Sequence, residues 1–312
     1  VKQLKIAVGP LLFGWPEVKI SEFYLRLAEQ SEADIFYIGE VVCSKRSISG
    51  AQWRINLAKS LQQRGKEVVL STLAMPTTEA ELQSIRDLAD AARETGIAIE
   101  ANDISAVAIA REHGAKFVAG PHLNIYSNGA ARHLRRQGAV RLALPLELPA
   151  RDISSVIQGN SAEVEYFAHG HLPLTFSARC YAARAHGLSK QDCRHVCFMN
   201  PDGIEMTTLD AQEFATINGT QVMSHHPFTT LNHLPELAAY GVNVVRISPQ
   251  AEGTGEVIRQ FAAVAAGRAT PANALQKLCG EQPTEEVFCN GYYYGEQGRL
   301  WIPDKQEAQT CR

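Results

Sequence analysis

Short apolar or β-branched runs alternate with longer stretches whose apolar positions recur at helical spacing. Eight of the short runs read as strands: Leu4 to Gly9, Asp34 to Gly39, Glu67 to Ser71, Ile97 to Glu100, Phe117 to Gly120, Val140 to Pro145, Val164 to His169 and Val242 to Ser248. Helical patterns lie between them, over Ile20 to Gln30, Gln52 to Arg64, Glu79 to Thr95, Ile104 to His113 and Asn128 to Gln137. Gly65, Gly96, Gly114 and Gly138 follow four of these patterns, where C-terminal capping glycines are expected. A repeating strand–helix order is the grammar of a parallel sheet, and eight such strands fit one barrel. The predicted fold class is α/β: a TIM-like (β/α)8 barrel with an inserted cysteine loop and a small hairpin.

Such a barrel takes about 250 residues, and the chain has 312. The reading therefore assigns 1–270 to the barrel, with an insertion at about 170–241, and 271–312 to a C-terminal tail packing on it. Within the insertion, Asn200-Pro201-Asp202-Gly203 is a strong turn signal and Met206-Thr207-Thr208-Leu209 reads as strand. The last barrel helix is expected near Glu256 to Ala266. Gly280, Pro283, Gly291, Gly295, Gly298 and Pro303 predict a tail that packs loosely or covers one end.

A chain that is 45% hydrophobic and 20% charged is expected to bury a sizeable core. Its formal charge is −3 with both signs interspersed, so it carries no electrostatic footprint for nucleic acid. Apolar runs such as Leu142-Ala143-Leu144-Pro145-Leu146 are interrupted by charge well before the roughly 18 to 20 residues of a membrane span, so no transmembrane segment is expected. The N-terminal residues do not read as a secretory signal. Seven cysteines, an odd number unevenly spread, make a poor disulfide framework, and the expected location is a reducing cytoplasm. Walker-type, His-Glu-x-x-His and Gly-x-Ser-x-Gly motifs are missing, which weakens nucleotide hydrolysis, zinc proteolysis and the common serine hydrolase elbow.

The cysteines carry the most specific chemistry. Cys180, Cys193 and Cys197 fall in the insertion, and Cys43 lies just beyond the second strand. All strand C-termini of a parallel barrel share one rim, so Cys43 can meet the loop after the seventh strand. Four thiolates suit an iron–sulfur cluster or a tetrahedral zinc better than a hard cation. His195, His169 and His171 are alternative ligands, while Cys279, Cys289 and Cys311 belong to the tail and are left outside the site. Around the same rim, Glu40, His122, Asn124, Arg179 and Arg246 are the candidate substrate-binding residues, with Lys45, Arg46 and Glu147 nearby. Charged groups there can bind an anionic substrate, tune a metal site or form structural ion pairs.

Gly39-Glu40-Val41-Val42-Cys43-Ser44-Lys45-Arg46, Gly170-His171-Leu172-Pro173-Leu174, Ser177-Ala178-Arg179-Cys180, Cys193 with Cys197, and Val245-Arg246-Ile247-Ser248-Pro249-Gln250 together resemble the collagenase-like peptidase family. The resemblance, which extends to Cys289-Asn290-Gly291-Tyr292, is to its branch in oxygen-independent ubiquinone biosynthesis. It implies a [4Fe-4S] cluster on Cys43, Cys180, Cys193 and Cys197. It also implies a heterodimer with a UbiU-like homologous subunit, a UbiT-like lipid-binding accessory protein, and activity as a hydroxylase subunit only with that partner. The hydroxyl oxygen would then come from a donor other than O2, such as an organic acid. The rival expectation is a non-catalytic barrel with a structural zinc or cluster site, used as a binding partner.

Overall fold

The computed structural model describes residues 4–303. Along the chain come β1 (Lys5–Val8), β2 (Ile35–Gly39), β3 (Glu67–Ser71), β4 (Ala98–Ala101), β5 (Phe117–Ala119), β6 (Ala139–Ala143) and β7 (Glu163–Gly170). The insertion then supplies β8 (Pro173–Phe176), β9 (Ile204–Thr207), β10 (Glu213–Asn218) and β11 (Gln221–Ser224). A two-residue β12 (Phe228–Thr229) leads back to the barrel strand β13 (Val244–Ile247). β7, β13, β1, β2, β3, β4, β5 and β6 pair in that order, all parallel, and the β6–β7 pairing closes the ring. The fold is a closed (β/α)8 barrel, and all eight strands coincide with the predicted runs to within two residues at either end.

The helices α1 (Glu17–Gln30), α2 (Gln52–Gln63), α3 (Glu79–Thr95), α4 (Ile104–Glu112), α5 (Asn128–Arg136) and α6 (Ala150–Val156) follow strands β1 to β6. Local chemistry fixes their ends. Thr78 and Glu81 form a reciprocal capping box at the start of α3, and Gly96 closes it in the left-handed conformation. Helix faces bury Phe23, Leu27, Leu61, Leu88 and Val107 against the outside of the sheet. A separate small core of Ala7, Ile35, Tyr37, Val69, Val118 and Val244 fills the barrel interior.

The insertion is larger than the expected hairpin. β8, β11, β10 and β9 form a four-stranded antiparallel sheet, and the cysteine loop between β8 and β9 contains a short helix, α7 (Tyr181–Ala185). β8 opens on Pro173 and exposes Leu174 and Thr175, so its sequence lacks the half-buried alternation that marks a strand. After β12, α8 (Leu234–Tyr240) and α9 (Thr254–Ala265) flank β13.

The tail is not loose. α10 (Pro271–Cys279), α11 (Thr284–Val287) and α12 (Gly291–Tyr294) pack on the barrel, with Cys279, Phe288, Cys289, Asn290 and Tyr293 buried. Cys289 bridges to Phe228, and Tyr293 stacks on His233 at 4.1 Å. Here glycine marks close packing: a Cβ on Gly291 would lie 1.8 Å from the Gln297 carbonyl oxygen. Cys311 lies outside the described residues.

Candidate functional site at the strand C-terminal rim

Alternation within the barrel strands puts Tyr37, Glu100, Arg141, Glu165 and Arg246 inside the ring, each buried. They form one charge-balanced stack. The Arg141 guanidinium donates to Glu67 at 2.5 Å, to Glu163 at 2.6 Å and to the Tyr37 hydroxyl at 3.0 Å. Tyr37 in turn donates to Glu165. Arg246 lies over the Tyr37 ring at 4.1 Å, donating Nε to Glu165 at 2.5 Å, with Nη2 2.7 Å from Glu100. Its charge is thus matched by two carboxylates. Burying such groups is costly unless they are paired and hydrogen-bonded, and here the pairing runs through the whole interior.

Above this stack, a narrow chamber with free volume of about 20 Å³ is lined by Gly9, Leu12, Val41, Glu100, Asn102, His122, Arg246 and Ser248 among others. It continues through Pro121, His122, Leu146 and Pro173 into an outer groove of about 320 Å³. Asn124, Tyr126, Glu147, Phe176 and Tyr292 line that groove. His122 stands at the junction, edge-on to Phe176 at 4.9 Å. Desolvation, helped by the Arg246 charge, pushes its pKa down to about 4, so near neutral pH it is an uncharged donor or acceptor. Asn102 donates to the Thr72 carbonyl and to Glu100, both at 3.1 Å, while its buried Oδ1 packs against Gly120 without a hydrogen bond.

The cysteine segments meet beside the chamber. Glu40 accepts hydrogen bonds from the amides of Val42 and Cys43, both at 2.9 Å, and so shapes the turn that presents Cys43. Arg46, only 4% exposed, is the common anchor. It donates to the Leu12 carbonyl at 2.6 Å and to Asn218 Oδ1 at 2.7 Å, and its charge acts on the Cys43 and Cys197 thiols. Lys45 reaches the Gln191 carbonyl at 3.1 Å, and its own carbonyl contacts His195 Nε2 at 2.8 Å. Arg194 and His195 both have positive φ, 47° and 52°, so a strained left-handed turn separates Cys193 from Cys197. Gly14 lets the β1–α1 loop approach: a Cβ there would sit 3.0 Å from Cys197 Sγ.

Cys43, Cys180, Cys193 and Cys197 are all free and half-buried. Burial pushes the Cys43 and Cys197 thiols up, while the Arg46 charge pulls both back. Cys180 is close enough to Cys197 to interact electrostatically with it, and accepts the Ala183 amide at 3.4 Å. Among the described residues no three cysteine sulfurs lie within 4.8 Å of one another. A single tetrahedral zinc would hold its thiolates about 3.8 Å apart, from Zn–S bonds of about 2.3 Å. The donor set is soft and its spacing is wider than that ion requires.

The remaining candidates divide by position. His122, Asn124 and Arg246 line the chamber or groove, whereas Glu40 faces the cysteine turn and Arg179 is exposed outside both. His169 is buried between Phe261 and Phe288, and His171 Nδ1 contacts the Ser224 carbonyl at 2.8 Å. Sequence reasoning missed Glu100, Glu165, Arg141 and Asn102. Their signal is a charged or polar residue in register with inward-facing neighbours of a barrel strand, such as Glu165 two positions from Glu163.

The fold and site define a (β/α)8 barrel protein whose chemistry-bearing side chains gather at the strand C-terminal rim. Residues 24–300 match Peptidase family U32, and the chain belongs to that family. It is 26% identical over 302 residues to a collagenase of Porphyromonas gingivalis (strain ATCC BAA-308 / W83), covering 91% of this chain and 67% of that one. A second Porphyromonas gingivalis collagenase is 24% identical over 247 residues, 74% of this chain and 60% of the relative. The chain therefore spans only part of the collagenases it matches. Among solved structures, the U32 peptidase Mk0906 aligns with a TM-score of 0.45 at 12% identity, over 81% of this chain and 95% of that one. A mutant tryptophan synthase alpha-subunit from Pyrococcus furiosus gives 0.47 at 14% identity, over 85% and 99%. No helix among the described residues is long and apolar enough to cross a membrane.

Proposed function

We propose that this chain is a UbiV-like iron–sulfur subunit for oxygen-independent hydroxylation in ubiquinone biosynthesis. It would work in the cytoplasm as a heterodimer with a UbiU-like subunit, served by a UbiT-like lipid-binding protein. The observation that supports this reading is the meeting of the Cys43 turn with the Cys180–Cys197 insertion around one buried arginine, Arg46. Four half-buried, soft thiols gathered near Arg46 suit a [4Fe-4S] cluster held by Cys43, Cys180, Cys193 and Cys197. When bound, such a cluster supplies one-electron chemistry or an open coordination position on iron.

The protein's own groups then have distinct work. Glu40 orients Cys43 through two backbone amides, and Arg46 places a fixed positive charge against the thiolates. Leu12 and Val41 line the chamber, while the Leu12 carbonyl holds Arg46, so one wall separates the cysteines from the chamber. Tyr126, Phe176 and Tyr292 offer aromatic walls to a planar ring in the outer groove. Neutral His122, which lines both the groove and the chamber, supplies a hydrogen bond at its inner end.

Anaerobic co-expression with a UbiU-like subunit tests the reading. It predicts a co-purifying pair and, in cells lacking the native protein, restored hydroxylation of a quinone precursor without oxygen. Hydrolysis of gelatin or collagen peptides by the purified chain, undiminished in Cys193→Ala, would instead establish a peptidase and overturn it.

A further inference from the structure

At the start of β10 and just past the end of β11, Glu213, His225 and His226 form a second cluster of metal-ligating side chains. Among the described residues it is the one group of three whose ligand atoms all lie within 4.8 Å of one another. His225 Nε2 is 3.0 Å and His226 Nε2 3.9 Å from the same oxygen, Glu213 Oε2. The two imidazoles stand nearly perpendicular, at 83° with centroids 4.8 Å apart.

This arrangement is not what a regular strand produces. Adjacent residues on a strand point to opposite faces, yet His225 and His226 converge on one carboxylate because the backbone leaves β11 at Ser224 and reaches β12 only at Phe228, past Pro227. Glu213 stands at the matching end of β10, where the pairing with β9 shifts register. Metal–nitrogen and metal–oxygen bonds of about 2.0 to 2.2 Å place tetrahedral ligands about 3.3 Å apart. The two measured separations bracket that value.

We infer that Glu213, His225 and His226 form a binding site for a divalent transition cation of the zinc, cobalt or nickel class, separate from the cysteines. Two imidazoles and a carboxylate favour such ions over magnesium or calcium, which prefer all-oxygen shells. Three protein ligands leave one position open, and the exposed Glu213 side leaves it to water. The Nδ1 of His225 is enclosed without a partner, so its Nε2 is the nitrogen left to bind. A bound ion would pin the end of the insertion sheet to the segment that returns the chain to the barrel.

The test uses the full-length reduced protein and cobalt(II) as probe, by equilibrium dialysis and visible spectroscopy. One equivalent, beyond any cobalt held by the thiolates, should bind with ligand-field bands that carry no thiolate-to-cobalt charge-transfer intensity of their own. That equivalent should persist in Cys43→Ala, and its affinity should fall more than about 10-fold in both Glu213→Gln and His226→Asn. Glu213 is exposed and His226 is about a quarter exposed, and unchanged circular dichroism of the variants would show that folding is intact. Cobalt bound only with a thiolate charge-transfer band, or wild-type binding no tighter than that of the two variants, would overturn the site.

Discussion

Replacing Arg46 with methionine removes the side chain that bonds the Leu12 carbonyl and Asn218 together and whose charge acts on Cys197. Each hydrogen bond from a charged donor contributes about 1.5 to 3 kcal/mol, and two such bonds at 2.6 and 2.7 Å are lost. The buried Glu40, 3.9 Å away, also loses its counter-charge. Breaking a buried pair by deleting one partner costs about 3 to 5 kcal/mol, so the loss is expected in that range. Arg46→Lys keeps the charge but cannot span both acceptors with a fork, and should cost about 1.5 to 3 kcal/mol. Urea unfolding can be followed through Trp15, buried beside this region with its indole donating to the Pro201 carbonyl at 2.6 Å. A methionine variant within 1 kcal/mol of wild type, or a lysine variant as damaged as the methionine one, would refute Arg46 as the anchor between loops.

Other consequences follow from the same geometry. Gly14→Ala places a methyl group 3.0 Å from Cys197 Sγ and from Phe198, and should destabilise by about 1 to 3 kcal/mol through overpacking, read by thermal melting. Glu165→Gln leaves Arg141 and Arg246 facing a neutral amide and should cost about 3 to 5 kcal/mol in urea unfolding; a neutral outcome would deny the interior stack its role. His169 is held uncharged by burial, its pKa pushed down to about 3, so the unfolded chain takes up a proton before the folded one does. Its contribution is therefore complete above the unfolded value of about 6.5 and is lost as pH falls toward 3, at up to about 1.4 kcal/mol per pH unit. His169→Gln should flatten that slope, and an unchanged slope would contradict the assignment.

The barrel was readable because its signals are local. Each strand is a compact apolar run, and Gly65, Gly96, Gly114 and Gly138, all at positive φ, follow the ends of α2 to α5. The insertion sheet was not, because Pro173, Leu174 and Thr175 fit a strand only when β11 pairs with them. For the tail, the glycines left loose packing and coverage of one end both open, and the close packing shows only in three dimensions, where a side chain at Gly291 or Gly298 would collide with neighbouring atoms. Cysteine positions were legible, whereas Arg46 as their shared anchor depends on Leu12 and Asn218, far away in sequence. The interior stack was similarly hidden, since Glu100 and Arg246 come from strands that meet only through the closed ring.

The most direct test of the central claim is an anaerobic purification followed by an ultraviolet–visible spectrum with iron, sulfide and zinc analysis, on wild type and on Cys43→Ala of unchanged circular dichroism. The account predicts a brown wild-type protein with about four irons and four sulfides per chain, bleached in the variant. A colourless protein holding zinc, or a variant that keeps its colour and iron, would contradict it.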